Sequence, residues 1–265
     1  MTGQRKRPTY SHNPAFEGSP VLKKLGQHFL VDRRVLARIG DYASLGRGDA
    51  VLEVGPGTGN LTDILSERAR TVYAIEVDPV LASSLEGRFD NVLIIRGDAL
   101  RVPLPEYNKI VSNLPYQISS KITFRLLARP FDLAVLMYQR EFAERMVAPP
   151  GTREHGRLAL NVAFWAEAEV LEIVPRGAFS PMPQVESAVV RLRPRKTPAP
   201  VEWGAFEALT RGLFSMRRKK VKSTLAAMKV PPDALSRIDP ALLDIRPQEL
   251  SLEKVVALTE AISRR

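Results

Sequence analysis

The chain has 265 residues, a hydrophobic content of 45% and a formal net charge of +10, which together predict a globular protein with one large domain and a smaller one. The absence of cysteine excludes disulfides and thiolate metal sites, and the three histidines lie too far apart in the sequence to predict a metal site. No apolar run approaches the length of a membrane span, so we expect a soluble, cytoplasmic protein that does not contact a membrane.

The positive charge is concentrated in two segments. Residues 1–34 contain seven Lys and Arg residues against two acidic ones, and residues 211–229 contain seven against none. Such runs are either solvated faces or phosphate-binding surfaces, and their clustering favours nucleic acid as a partner. Residues 1–20 are predicted to form a flexible basic arm, because prolines interrupt a stretch that has little to bury.

Short apolar runs that end in acidic or glycine-rich segments follow this arm. They predict strands at residues 50–54, 71–77, 92–95, 109–111 and 133–137, with helical patterns between several of them. Strands that are apolar on both faces and alternate with helices predict an α/β fold whose mostly parallel sheet is covered on both sides. We assign this larger domain to residues 21–193.

The first predicted strand runs directly into the glycine loop, Glu53-Val-Gly-Pro-Gly-Thr-Gly59, which precedes a helix. Glycine lets the backbone turn sharply and lets a ligand lie against main-chain N–H groups, although a purely structural turn is the alternative. Glu76 ends the second strand about twenty residues later, where the acid of doubly wound folds accepts hydrogen bonds from ribose hydroxyls. These features predict a cofactor that contains a nucleoside.

The spacing Gly-x-Gly-x-Gly differs from the Gly-x-Gly-x-x-Gly of dinucleotide-binding folds, whose last glycine packs the helix around a pyrophosphate. S-adenosyl-L-methionine has no pyrophosphate, so the spacing favours this cofactor over a nicotinamide. Asp98, just after the third strand, can accept a hydrogen bond from the adenine amino group of such a cofactor. A helix N-cap is the alternative role for Asp98.

The fourth predicted strand ends in Asn113-Leu-Pro-Tyr116, which resembles the Asn-x-Pro-aromatic motif of enzymes that methylate planar exocyclic nitrogens. The side-chain carbonyl of Asn113 and the backbone carbonyl of Leu114, held by the rigid Pro115, can turn the lone pair of such an amino group towards a methyl donor. Tyr116 can stack on the base. No general base or metal is required, because orientation and acceptor placement supply the catalysis. A turn with a buried tyrosine is the alternative.

An adenine in structured RNA has to leave its stack to reach such a loop, and a second aromatic ring would help to hold it. Phe179, at the start of Phe179-Ser-Pro-Met-Pro-Gln-Val-Glu-Ser187, is the candidate. A core phenylalanine beside a proline-rich loop is an equally good interpretation of the pattern.

A second region follows the proline-rich linker at residues 194–200. Phe206, Leu209 and Leu213 form a helical stripe, and Ser251 can cap a last helix, so residues 201–265 are predicted to form a small helical domain. The basic run Arg217-Arg-Lys-Lys220 is predicted to lie on a helix, where four consecutive charges cannot share one face.

From Leu25 to its C-terminus the sequence resembles the KsgA/Dim1 family of ribosomal RNA adenine dimethyltransferases. The matching segments occur in the family's order. They are Leu25-Gly-Gln-His-Phe-Leu30, the glycine loop, Glu76, Asp98, Asn113–Tyr116, Gln139–Arg145, Gly156–Leu158, Phe179–Ser187 and Arg217–Lys219.

The resemblance implies a Rossmann-like class I S-adenosylmethionine-dependent methyltransferase fold with a small C-terminal helical domain. It also implies transfer of methyl groups to N6 of two adjacent adenines in the 3′-terminal hairpin of small-subunit ribosomal RNA, during ribosome biogenesis. The partner would be the pre-small ribosomal subunit, and we expect the enzyme to act as a monomer.

The resemblance also assigns roles to individual residues. Around the cofactor it places Gln27, His28, Leu30, Gly55, Gly57, Glu76, Asp98 and Asn113. On the ribosomal RNA it places Arg217, Arg218, Lys219 and Lys220, to which we add Lys222 as a predicted RNA contact. Tyr116 and Phe179 stay the residues predicted from the motifs to stack on the target base. His28 stands where bacterial members have asparagine and Lys121 where many relatives have proline, which is more similar to archaeal and eukaryotic members.

Three alternatives remain open from the sequence. An Erm-type enzyme has a similar fold and catalytic loop but methylates one adenine of large-subunit ribosomal RNA. A non-catalytic assembly factor would keep the fold only to bind RNA. A protein-glutamine methyltransferase uses a similar loop, but the two basic segments would then have no purpose.

Overall fold

The computed structural model describes residues 28–196 and 199–263. The predicted arm at residues 1–20, the predicted cofactor residue Gln27 and residues 197–198 of the predicted linker lie outside the described residues. Within the two described ranges, no helix combines the length and apolar character needed to cross a membrane.

A seven-stranded sheet forms the centre of the larger region. Its strands, in spatial order, are β4 (Val92–Arg96), β3 (Thr71–Glu76), β2 (Ala50–Val54), β5 (Lys109–Asn113), β6 (Leu133–Gln139), β9 (Ser187–Pro194) and β7 (Ala166–Val174). The first five run parallel, and β9 pairs antiparallel with both β6 and β7. A separate short antiparallel pair joins β1 (Phe29–Leu30) to β8 (Phe179–Ser180).

Helices cover both faces of this sheet. They are α1 (Arg33–Tyr42), α2 (Asn60–Arg68), α3 (Pro79–Leu85), α4 (Ser119–Leu127), α5 (Arg140–Met146) and α6 (Arg157–Trp165). Successive strand residues point to opposite faces, so Leu52 and Ile110 belong to one core while Val51 and Val111 belong to the other. Every residue of β2 is buried as a result.

The predicted α/β fold with a mostly parallel sheet is confirmed. The predicted strands agree with β2 to β6 to within two residues at each end, because each contains a run of mainly apolar residues. β2 is buried throughout, whereas β4, at an edge of the sheet, is only partly buried. β7 is not such a run, since it begins Ala-Glu-Ala-Glu, and the sequence does not predict it. This strand lies at the edge of the sheet, where charged side chains can reach solvent.

The C-terminal region is helical, with α7 (Trp203–Ser215), α8 (Val221–Ala227), α9 (Pro232–Leu235), α10 (Pro240–Asp244) and α11 (Leu252–Ser263). The backbone N–H of Lys254 donates to the Ser251 hydroxyl (3.4 Å) at the start of α11. Helix α6 belongs to two cores, because Val162 packs in the sheet core while Leu160 and Phe164 pack with the C-terminal helices. The division into domains at residues 193 and 201 stays a prediction.

One prediction for the C-terminal region is wrong. The basic run Arg217–Lys220 is not helical, because α7 ends at Ser215, α8 begins at Val221, and the run forms the turn between them. We call residues 217–220 the basic turn. Consecutive side chains of a turn point in several directions, so the restriction to one helical face does not apply to this run.

Candidate active site

The carboxyl ends of the central strands meet where the order of the sheet reverses, between β2 and β5. Ligands of open α/β sheets bind in the crevice at such a point. A cavity of about 290 Å³ lies there. Its lining includes most of the predicted site residues: His28, Leu30, Gly55, Gly57, Glu76, Asp98 and the catalytic loop Asn113–Tyr116.

The glycine loop is packed against two neighbouring segments. Gly55 has a φ of +73° and donates its N–H to the carbonyl of Ile75 (2.9 Å). A Cβ at Gly55 would lie 3.0 Å from Cγ of Pro115 in the catalytic loop. Gly57 has a φ of +59°, and a Cβ there would lie 2.8 Å from the ring of Phe29. Glycine is therefore required at both positions by backbone conformation and by the close approach of neighbours.

Glu76 joins the glycine loop to the end of β3. Its carboxylate accepts hydrogen bonds from the backbone N–H of Gly57 (3.1 Å) and of Asp78 (2.9 Å). The residue is 1% exposed, yet it lines the cavity. Burial raises the pKa of Glu76, and the backbone hydrogen bonds oppose that rise. The carboxylate is thus held in one orientation at the cavity wall.

Asp98 lies in the turn that follows β4. Its carboxylate accepts a hydrogen bond from the backbone N–H of Leu100 (2.9 Å). The next residues form a turn and not a helix, so the N-cap alternative is wrong. The guanidinium of Arg125 on α4 donates to the carbonyls of Ala99 and Val102 (both 2.6 Å). Arg125 therefore ties the Asp98 turn to the helix that follows the catalytic loop, a connection that the sequence pattern did not predict.

The cavity is acidic. Glu76, Asp98 and Glu53 line it, and there is no Lys or Arg among its described lining residues. Glu53, with a pKa of about 8, is mostly protonated near neutral pH, so Glu76 and Asp98 are the acids that matter for a cationic ligand. A pyrophosphate would find no counter-charge on these side chains, whereas a sulfonium cofactor that also carries an ammonium group would be attracted. Val77, which is 54% exposed, and Ala99 add apolar surface for a purine ring. This lining fits S-adenosyl-L-methionine better than a dinucleotide.

Glu53 is a cavity residue to which the sequence pattern assigns no role. It is 1% exposed on β2 and accepts a hydrogen bond from the hydroxyl of Thr62 (2.7 Å). Burial raises the pKa of Glu53 to about 8, Thr62 opposes this rise, and the nearby Glu76 adds to it. An acid inside an otherwise apolar, fully buried strand is the signal that identifies this residue in the sequence.

We expect Glu53 to make folding less favourable as the pH rises. Its pKa of about 8 lies above the ordinary value of 4.5, so the folded state binds more protons than the unfolded state between these values. The free energy of unfolding then falls by at most about 1.4 kcal/mol per pH unit over that window and levels off above it. Glu53→Gln should remove this pH-dependent component. The difference in melting temperature, variant minus wild type, should therefore be larger at pH 8 than at pH 5. Equal differences at both pH values would contradict the assignment.

The catalytic loop continues β5 along the rim of the cavity. Nδ2 of Asn113 donates a long hydrogen bond to the backbone carbonyl of His28 (3.5 Å). No donor from the described residues reaches Oδ1 of Asn113, which stays available as an acceptor. Leu114 is 1% exposed and anchors the loop in the sheet core. Pro115, with a φ of −60°, leads into a single 3-10 turn that starts at Tyr116.

Tyr116, the last residue of the same loop as Asn113, is partly buried. Its phenol oxygen is 2.6 Å from the hydroxyl of Ser187, and its ring centroid is 6.4 Å from that of His28. Burial raises the pKa of Tyr116, and the hydrogen bond with Ser187 opposes that rise. The ring still lines the cavity, so its remaining surface is accessible to a base.

Phe179 is absent from the described cavity lining. It is 4% exposed on β8, where it pairs with Leu30 and packs in the same core as Val189. A ring inside the core cannot stack on a base. The prediction of a second stacking ring at Phe179 is therefore wrong for this conformation, and the interpretation as a core phenylalanine describes it.

The residues predicted to contact RNA differ in their surroundings. Arg218 and Lys219 are exposed and have no ion-pair partner among the residues that the structure describes. Lys220 and Lys222 both contact the Asp244 carboxylate (3.2 and 2.8 Å). These hydrogen bonds, the one from Lys222 foremost, hold the pKa of Asp244 below its usual range. Two of the cations are thus free, and two share a counter-charge.

A second cavity, of about 760 Å³, lies between α4, α5, α6 and the end of α7. Its lining includes Ser120, which follows the catalytic loop in the chain, and Arg217 of the basic turn. Arg217 also donates to the carbonyl of Arg153 (2.7 Å). The other arginines of the lining are Arg145 and Arg157. The lining also contains Glu141, Glu144 and Glu154, so its arginines are largely balanced by acidic residues. This second cavity extends from Arg217 of the basic turn to Ser120 at the start of α4.

The sequence matches one family model, described as ribosomal RNA adenine dimethylase, over residues 20–241. Among curated relatives, a protein of Methanothermobacter thermautotrophicus is 47% identical over 254 residues, which are 92% of this chain and 92% of the relative. A protein of Thermococcus onnurineus is 52% identical over 203 residues, which are 76% of this chain and 74% of the relative. Both are named probable ribosomal RNA small subunit methyltransferase A.

Two solved structures are similar over most of the chain. The dimethyladenosine transferase from Plasmodium falciparum gives a TM-score of 0.80 at 29% identity, with 87% of this chain and 96% of that chain covered. The 23S rRNA methyltransferase ErmE gives a TM-score of 0.66 at 30% identity, with 89% of this chain and 100% of that chain covered.

Proposed function

The chain belongs to the ribosomal RNA adenine dimethylase family, and from this membership we propose that it uses S-adenosyl-L-methionine to dimethylate N6 of two adjacent adenines in the 3′-terminal hairpin of small-subunit ribosomal RNA. The resemblance to the KsgA/Dim1 family and the class I methyltransferase fold are confirmed. The observation that carries the proposal is the Asn113-Leu-Pro-Tyr116 loop on the rim of an acidic cavity at the switch point of the sheet.

We assign the cofactor to that cavity. Glu76 would accept hydrogen bonds from the ribose hydroxyls, and Asp98 would accept one from the adenine amino group, with Val77 against the ring. Gly55 and Gly57 would allow the ligand to approach the main chain closely. When bound, the cofactor supplies a methyl group on a sulfonium that is an excellent leaving group.

The catalytic loop would prepare the substrate amino group. That group is conjugated with the adenine ring, so its lone pair is poorly available until the group rotates. Oδ1 of Asn113 and the carbonyl of Leu114 would accept its two N–H bonds and hold it rotated, while Pro115 restricts the backbone. The nitrogen would form its bond to the transferred carbon as the carbon–sulfur bond breaks and a neutral thioether leaves. The nitrogen would then lose a proton to water, so placement and not a basic side chain supplies the catalysis. A monomethylated amino group keeps one N–H, for which one acceptor suffices.

The RNA would bind along the surface that extends from the basic turn towards the start of α4. Arg218 and Lys219, which have no ion-pair partner among the described residues, lie at one end, and the second cavity, lined by arginines and glutamates, extends towards Ser120 at the other. Phosphate contacts of this kind set the position of a nucleic acid without reading its sequence. We further propose that the enzyme acts as a cytoplasmic monomer on the pre-small ribosomal subunit.

The proposal is tested by supplying labelled cofactor with unmethylated small and large ribosomal subunits in parallel, followed by nucleoside analysis of the recovered RNA. N6,N6-dimethyladenosine from the small subunit alone is expected. Label in the large subunit would indicate an Erm-type activity instead. Cofactor binding without label in either subunit would contradict the proposed function and favour a binding factor.

We expect the free and the paired cations of the C-terminal region to contribute differently to RNA binding. The double variant Arg218→Ala, Lys219→Ala should weaken binding of the hairpin RNA about tenfold. It should also reduce the magnitude of the negative slope of log affinity against log salt by about two. Asp244→Asn should strengthen binding, because it releases Lys220 and Lys222. Fluorescence anisotropy of a labelled hairpin between 50 and 200 mM salt would measure both effects.

Asp233→Asn is the matched control for Asp244→Asn. Asp233 is an exposed acid of the same region, and its partner is Arg237, outside the predicted RNA contacts (3.4 Å). Both variants change the net charge equally, so only Asp244→Asn should strengthen binding beyond the general charge effect. Equal effects of the two variants would show that Lys220 and Lys222 are not phosphate ligands.

A further inference from the structure

The segment from Phe179 to Ser187 reaches the active site although its phenylalanine does not. Nδ1 of His28 donates to the carbonyl of Pro181 (2.9 Å), and the hydroxyl of Ser187 lies 2.6 Å from the phenol oxygen of Tyr116. His28 and Tyr116 are themselves neighbours on the cavity rim. The segment therefore lies behind the rings of His28 and Tyr116 at the rim of the cavity.

Ser187 is the fixed end of this segment. It is 0% exposed and is the first residue of β9. Its backbone is in register with Gln139 of β6 on one side and with Val174 of β7 on the other, so it is held between two strands. Its hydroxyl therefore occupies a defined position in the rigid sheet.

Tyr116, in contrast, belongs to a loop. It begins a single 3-10 turn of three residues that leads into α4, and the ring of His28 is 6.4 Å away between centroids and tilted by 31°. No face-to-face aromatic contact among the described residues holds its ring. The hydrogen bond to Ser187 is the directional contact at the far end of the side chain. Because the phenol oxygen lies on the Cβ–Cγ axis, this bond restricts rotation about Cα–Cβ and fixes the position of the ring.

We propose that Ser187 is a positioning residue, which holds the phenol of Tyr116 and thereby fixes the position of the ring on which the target adenine stacks. This inference rests on the proposed function. A stacked base is held in place only if the ring beneath it is fixed, and small errors in orientation at the reacting group are costly. The hydroxyl of Tyr116 accordingly has no contact with the adenine, and its role is to bind Ser187.

A double-mutant cycle with Ser187→Ala and Tyr116→Phe tests the inference, because each change removes one partner of the hydrogen bond and keeps the ring. Each single variant should lower kcat about tenfold with little change in the Kd of S-adenosyl-L-methionine, and the double variant should show the same loss as the single ones. A substrate RNA with 2-aminopurine at the target position should bind the variants with altered fluorescence quenching, because the stacking partner is no longer held.

The matched control is Thr123→Val. Thr123 and Tyr138 form a buried hydroxyl–phenol pair (2.8 Å) in the same domain, and neither lines the cavity. Its loss should lower the melting temperature as Ser187→Ala does but leave kcat and quenching unchanged. The inference would be overturned if the decreases in kcat of the two single variants multiply in the double variant, or if Ser187→Ala has the wild-type rate. The proposed function fails separately, if the wild-type protein methylates neither ribosomal subunit.

Discussion

Asn113→Ala is expected to lower the turnover of adenine methylation roughly 100- to 1,000-fold, the loss typical of removing one preorganised hydrogen-bonding group from an active site. Among the described residues Oδ1 of Asn113 has no donor, so the change to alanine removes the proposed acceptor together with one long hydrogen bond from Nδ2 to the carbonyl of His28 (3.5 Å). The Kd of S-adenosyl-L-methionine should stay nearly unchanged, because Glu76 and Asp98 remain in the cavity. Single-turnover rates with saturating cofactor and titration calorimetry would measure the two quantities.

Asn113→Asp provides the discriminating comparison. The carboxylate keeps an acceptor oxygen for the adenine amino group, but it replaces Nδ2 with an oxygen that faces the carbonyl of His28. Its turnover should therefore lie between that of Asn113→Ala and wild type. An alanine variant with the wild-type rate would refute the acceptor role, and equally low rates for both variants would place the role in the orientation of the loop instead.

Glu76→Gln is expected to weaken binding of S-adenosyl-L-methionine by roughly 100-fold, the cost of leaving buried groups unpaired. The carboxylate accepts from the N–H groups of Gly57 and Asp78, and an amide in its place would point its own NH₂ at one of these donors. It would also offer one acceptor fewer to the ribose hydroxyls. Calorimetry with S-adenosyl-L-methionine and with its demethylated product should show the same loss for both ligands.

Glu86→Gln is the control for this experiment. Glu86 is exposed and pairs with Arg96 at the surface (2.7 Å), outside the described cavity lining. Its removal changes the net charge in the same way but should leave cofactor affinity within about twofold. If Glu76→Gln and Glu86→Gln weaken binding equally, the effect is the loss of negative charge and not the hydrogen-bond geometry at Glu76.

The part of the site that the sequence predicts is the part that follows the strand ends. Gly55, Glu76, Asp98 and Asn113 each come at or just after the end of a parallel strand, and the carboxyl ends of parallel strands meet at one edge of the sheet. Chain order and strand type therefore suffice to bring them together. The same reasoning predicts the sheet from β2 to β6.

The residues that the sequence does not predict depend on packing between distant segments. Phe179 fits both a stacking ring and a core residue, and only its pairing with Leu30 decides between them. Ser187 lies 71 residues from Tyr116, and no local pattern marks their contact. The basic turn reads as helical because Arg and Lys favour helices, whereas the packing of α7 and α8 requires a turn there.

Helix α6 links the two parts of the molecule that the proposed function uses. Because its opposite faces pack in the sheet core and in the C-terminal helix core, the proposed RNA-binding surface and the proposed methylation pocket would be held at a fixed separation. The C-terminal surface would bind the RNA backbone while the pocket accepts a single base, so the RNA itself would have to be reseated between two adjacent targets. Selection of the methylated nucleotide would then depend on its distance from the bound backbone in the folded RNA, and only secondarily on its neighbours in sequence.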